Sequence, residues 1–185
     1  MQVFISDLNL FRNRPDKIDA MKLKIGRGDA ARADNFQSGV RQLQFIVGHA
    51  MVADMAGVEV SFDEHGRPYA GDKYISIAHV DRWVVVVVDD MPVGIDIENK
   101  NKKRDFAALN REFFGVESNS GDVFYARFVA YEARFKAGNN NAMVRYFVMG
   151  DDWIIAIAAD AAGDVEWVPC YGTELPKIVS VDDAR

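Results

Sequence analysis

The chain has 185 residues, 49% of them apolar, and a net charge of −6. That length and composition suit one packed domain or two small joined lobes, and the charge argues against bulk nucleic-acid binding. The longest apolar run, Trp153 to Ala159, is too short to span a bilayer, and one cysteine, Cys170, excludes both an intrachain disulfide and a cysteine-based zinc cage. The start, Met1-Gln-Val-Phe-Ile-Ser-Asp, lacks a cationic region followed by a long apolar one, so a cytoplasmic protein without a signal peptide is expected.

Charge is uneven along the chain: residues 1 to 50 net +3 and the remainder −9. From about Ala30 to Met55, Phe36, Val40, Leu43, Val47 and Met51 recur at helical spacing, and Gly57 follows as a stop. Next comes a strand, Asp81-Arg-Trp followed by Val84 to Val88 and Asp89-Asp90, then a turn at Met91-Pro-Val-Gly and a second strand. A basic cluster, Lys100, Lys102, Lys103 and Arg104, precedes a short helix around Phe106, Leu109, Phe113 and Phe114. A longer helix runs from about Val123 to Lys136, stopped by Gly138, and Gly138-Asn-Asn-Asn forms a loop. Asp151-Asp-Trp-Ile-Ile-Ala-Ile-Ala-Ala-Asp then repeats the pattern of residues 81 to 90, with Trp83 and Trp153 in register, before a turn at Ala161-Ala-Gly-Asp. The tail from Gly172 reads as irregular. The order predicts an α+β fold of two similar halves, about 1–98 and 99–185, each a helix packed on a small antiparallel sheet.

Asp96 and Glu98 stand two apart in Val93-Gly-Ile-Asp-Ile-Glu, so an extended strand projects both to one face and sends Ile95 and Ile97 into a core. Glu132 and Lys136, four apart in a helix, share a face as well. Three carboxylates and a lysine suit phosphate chemistry with a hard divalent cation. Read singly, the acids also fit the wet face of a strand, and Glu132 with Lys136 a surface pair worth about 0.3–0.5 kcal/mol.

Taken together, His65-Gly-Arg-Pro-Tyr with Ile75-Ser-Ile-Ala-His, Val93-Gly-Ile-Asp-Ile-Glu, and Phe128-Val-Ala-Tyr-Glu-Ala-Arg-Phe-Lys resemble the 4′-phosphopantetheinyl transferase superfamily. The likeness is to its longer, pseudo-dimeric, surfactin-synthetase-activating type, whose halves are related by a pseudo-twofold. The resemblance implies that Asp96, Glu98 and Glu132 hold Mg²⁺ at the pyrophosphate of coenzyme A, with Lys136 on the same pyrophosphate. It implies contacts from Arg41, Arg67, Ser76 and His79 to the 3′-phosphate and adenine end. The implied reaction moves the phosphopantetheine arm to a serine of an acyl or peptidyl carrier protein and releases 3′,5′-ADP. Glu132 is the first choice of base and Glu117 the second; a monomer is expected, with the basic cluster helping to orient an acidic carrier. Tyr131, Ala78 and Val80 replace a lysine and two serines common in the superfamily. A member that binds coenzyme A or carrier without turnover is the alternative, and an unrelated metal phosphodiesterase a third reading.

Overall fold

A computed structural model of the chain describes residues 1–56, 60–62, 64, 67–161 and 163–181. Gly57, expected as a helix stop, and His65 and Gly66 of the first resemblance block lie outside the described residues. Strand β1 (Gln2–Asp7) leads through a 3-10 turn, Leu8–Phe11, into three helices: α1 (Pro15–Lys24), α2 (Gly26–Asp34) and α3 (Gly39–Ala56). Short strands β2 (Ser61–Phe62) and β3 (Pro68–Ala70) precede β4 (Lys73–Val80), β5 (Trp83–Asp89) and β6 (Val93–Asn99). Then come α4 (Phe106–Phe114), α5 (Gly121–Ala137), β7 (Met143–Met149), β8 (Trp153–Ala159), β9 (Glu166–Pro169) and β10 (Ile178–Val181).

The strands form two sheets, ordered β2-β3-β4-β5-β1-β9 and β10-β7-β8-β6. The valine run shows how they stack. Val84 and Val86 of β5 face a core with Met21, Ile46, Val47 and Met51 from the helices. Val85 and Val87 face a second core, shared with Ile95, Ile97, Ile155 and Ile157 of the other sheet. All four valines are fully buried. A strand covered on both faces loses the polar alternation of a half-exposed one, and each buried side chain of this size contributes about 1.5–3 kcal/mol. A third core joins Phe124, Tyr125, Val129 and Ala133 of α5 to Ile154, Ala156 and Ala158 of β8. The molecule is therefore helix, sheet, sheet, helix in section, and the mixed α and β class read from the sequence holds.

Several expectations are corrected. The helix expected over 30–55 is two. Asn35 closes α2, its amide donating to the Ala31 carbonyl, and Ser38 opens α3 by accepting from the Arg41 N–H. Neither β1 nor α1 is marked in the sequence pattern. The tail contains β10, antiparallel to β7. The sheets also do not follow the expected halves: β6 leaves the first half to pair antiparallel with β8, and β9 returns to pair parallel with β1. Trp83 and Trp153, in register in the sequence repeat, meet edge to face with ring centroids 5.8 Å apart.

Candidate active site

Strand β6 is an end strand of its sheet, and its free edge is closed by side chains. The Ile95 N–H donates to Ser76 Oγ at 3.1 Å, and Lys136 Nζ donates to the Ile95 carbonyl at 3.1 Å. Lys136 also donates to Asp96 Oδ1 at 2.7 Å. Helix α5 can come this close because residue 94 is glycine: a Cβ there would lie 1.9 Å from the Ala133 carbonyl oxygen and 2.6 Å from the Ala137 nitrogen. Tyr125, near the start of α5, lies in the field of Glu98. The helix thus runs antiparallel to β6, its C-terminal end over Gly94.

Ile95 and Ile97 enter the inter-sheet core as expected, and Asp96 and Glu98 face α5. Burial pushes the Asp96 carboxyl above its ordinary pKa, against the pull of Lys136. Glu98 is pushed up by burial and then by the charge of Asp96, with Lys102 and Arg104 opposing. Asp96 Oδ2 and Glu98 Oε2 are buried and have no hydrogen-bond partner among the described residues. Two unsatisfied carboxylate oxygens on one strand face are costly unless a cation satisfies them. They suit Mg²⁺, which commonly takes one or two carboxylates and completes its shell with water and substrate phosphate. Glu132 is half-buried one turn before Lys136. Among the described residues, no group of three or more His, Cys, Asp or Glu is gathered so that it could hold a metal ion.

Beside this pair opens a cleft of about 620 Å³. It is lined by all five residues expected to bind the coenzyme: Arg41 from α3, Arg67 before β3, Ser76 and His79 from β4, and Lys136 from α5. Arg67 lies against Gly138, where a Cβ would fall 2.4 Å from its guanidinium. The Ser76 hydroxyl, holding the β6 edge, keeps its own proton free to donate. Burial, then the charges of Lys136 and Arg41, hold the His79 pKa below its ordinary value. Ala78 and Val80 point into the inter-sheet core, where a hydroxyl would need a buried partner; neither lines the cleft.

Glu117 is not brought to the cleft. It forms a two-pronged ion pair with Arg111 at 2.8 and 3.1 Å on the surface, and that hydrogen bonding lowers its pKa. Sequence reasoning missed Arg32 and the ring group formed by Phe36, Phe45 and His49. His49 stacks on Phe45 with centroids 4.0 Å apart, and its Nδ1 lies 2.7 Å from Asp29. Arg41, Phe45 and His49 recur every four residues along α3, the signal that could have found them.

Four cations, Arg32, Arg41, Arg67 and Lys136, line the cleft, and no Asp or Glu does among the described residues. In a chain of net charge −6, that concentration beside several phenylalanines suits a polyanion with an apolar or aromatic part. No family model matches the chain. Over 48 residues it is 44% identical to a 4′-phosphopantetheinyl transferase of Bacillus subtilis, covering 24% of this chain and 21% of that protein. The match spans about a fifth of that relative's length and supports the same superfamily for this chain. Among the described residues no helix is long and apolar enough to cross a membrane.

Proposed function

We propose that the protein is a Mg²⁺-dependent transferase of the pseudo-dimeric type. It moves the 4′-phosphopantetheine arm of coenzyme A to a serine of an acyl or peptidyl carrier protein. The observation that carries this reading is the convergence of Arg41, Arg67, Ser76, His79 and Lys136 on one cleft beside the buried Asp96 and the half-buried Glu98. Guanidinium groups suit phosphate oxygens because they donate in pairs, so Arg41 and Arg67 hold the 3′-phosphate end, with Ser76 and the neutral His79 as further donors. Lys136 takes the pyrophosphate. Asp96 and Glu98, with Glu132 from α5, would hold Mg²⁺, which when bound neutralises charge gathering on the leaving phosphate.

The carrier serine oxygen attacks the β-phosphorus; a new P–O bond forms, the bond to the bridging oxygen breaks, and 3′,5′-ADP leaves. Glu132, half-buried and near Lys136 in sequence, accepts the serine proton directly or through water. The pairing of Glu117 with Arg111 makes it the weaker choice. Exposed Lys102, Lys103 and Arg104 favour an acidic carrier on the Glu98 side. A monomer in the cytoplasm fits a cleft built within one chain and a single free cysteine.

Incubation with Mg²⁺, coenzyme A and a panel of apo carrier proteins should add the mass of the arm to a carrier serine, and Asp96→Ala should abolish the gain while the fold persists. No gain across a broad panel counts against transfer. A second reading, a member that binds the coenzyme or carrier without turnover, is favoured by Lys136 occupying Asp96 and by the lack of a gathered three-ligand group among the described residues. Calorimetric binding of coenzyme A without turnover would select it.

A further inference from the structure

His49 has a role that the proposed reaction does not use. The residue is 7% exposed, yet it lines the cleft. Phe45 stacks on one face, and Nδ1 lies 2.7 Å from Asp29 of α2. A carboxylate only accepts, so Nδ1 carries the proton and the neutral ring presents Nε2 as a lone-pair acceptor. Nε2 has no hydrogen-bond partner among the described residues and is not among the fully buried unsatisfied atoms. Burial pushes the His49 pKa below its ordinary value, with Arg32 adding to that shift and Asp29 opposing it, which keeps the acceptor form at neutral pH. The side chains of Arg32, Arg41, Arg67 and Lys136 in the same cleft are donors only.

The position also matters. His79 lies in the fields of Lys136 and Arg41, whereas His49 lies in those of Asp29 and Arg32. Two turns beyond Arg41 along α3 and stacked on Phe45, His49 belongs to the end of the cleft where Phe36 and Phe45 meet at 5.4 Å. A nucleotide anchored through its phosphates near Lys136 reaches that end with its base. We propose that His49, held by Asp29 and Phe45, accepts a hydrogen bond from the exocyclic amino group of the coenzyme's adenine and so makes the cleft selective for amino-purines. This inference rests on the coenzyme reading. Hypoxanthine presents an oxygen at the same edge, which would set two lone pairs against each other and leave His49 Nε2 unpaired.

Titration calorimetry with adenosine 3′,5′-bisphosphate and its inosine counterpart tests this. The wild-type protein should bind the adenosine form at least about tenfold more tightly, the scale of one well-placed hydrogen bond in a site built for it. His49→Phe keeps a ring on Phe45 and removes the acceptor; it should bring the two affinities within about twofold, by weakening the adenosine form. If that variant folds poorly, the wild-type ratio alone still tests the selectivity. Equal wild-type binding of both overturns the role of His49 and leaves the coenzyme reading standing. Binding of neither at millimolar concentration overturns both.

Discussion

β6 and β9 each join the sheet built mostly by the other half of the chain, and they differ in what meets them. β6 arrives under α5, where Gly94 admits the helix backbone and Asp96 is buried against Lys136. β9 arrives beside β1, where Glu166 is exposed and accepts from the Gln2 amide, and Trp167 packs on Phe147. Topology alone does not make a site. The chemistry gathers where a helix can lie directly on a strand edge and desolvate its acids, and the same exchange of strands elsewhere makes an ordinary surface.

The largest expected contrast is between two glycines. Gly94→Ala puts a methyl group into the α5 backbone and should cost about 3 kcal/mol or more in urea unfolding, with loss of nucleotide binding as α5 is displaced. Gly163→Ala, just before β9, meets nothing within 4 Å and should stay within about 0.5 kcal/mol.

Next comes the charge pair. Lys136→Met leaves the buried Asp96 without its counter-ion and should cost about 3 kcal/mol, the low end for a broken buried pair because the lysine is 28% exposed. Glu166→Gln beside β1 should be close to neutral. The lysine also competes with any cation for Asp96, so Lys136→Met should bind Mn²⁺ more tightly than the wild type without nucleotide, as read by electron paramagnetic resonance. Unchanged Mn²⁺ affinity would show that Lys136 does not stand in for the metal.

The smallest effect is on pH dependence. Asp96 and Glu98 have folded-state pKa values raised above the ordinary 3.8 and 4.5. The native state therefore holds these protons more tightly than the unfolded chain. Their contribution to stability is fully present below those ordinary values and is lost as pH rises through the raised ones. Asp96→Asn with Glu98→Gln should thus raise the melting temperature by a few degrees at neutral pH and by less at pH 4, as scanning calorimetry can measure. Mg²⁺ should stabilise the wild type at neutral pH and leave the double variant unchanged.

What could be read from the sequence follows from how local each signal is. The face shared by Asp96 and Glu98, the burial of Ile95 and Ile97, and the span of α5 with its Gly138 stop are set within one element, and the structure repeats them. The crossing of β6 and β9 depends on partners about 60 and 160 residues away, on which strand periodicity is silent. α1 escaped notice because it buries only Met21 in full and carries no strong apolar stripe. The break before α3 rests on Asn35 and Ser38 side chains bonding the backbone, a signal overshadowed by the apolar spacing that runs through it. Arg41, Arg67, Ser76, His79 and Lys136 were named through a resemblance, and the structure collects them in one cleft. His49 and Asp29 were missed because their pairing joins α2 to α3, a contact that exists only once the helices pack.

The closure of β6 at Ile95 also bears on how copies of the protein behave toward one another. An end strand with free backbone groups is a template on which another chain can add, the usual route to edge-to-edge aggregation. At Ile95 the hydroxyl of Ser76 and the ammonium of Lys136 already occupy the amide and the carbonyl. The two side chains that border the cleft are thus the ones that deny a foreign strand its foothold on this sheet.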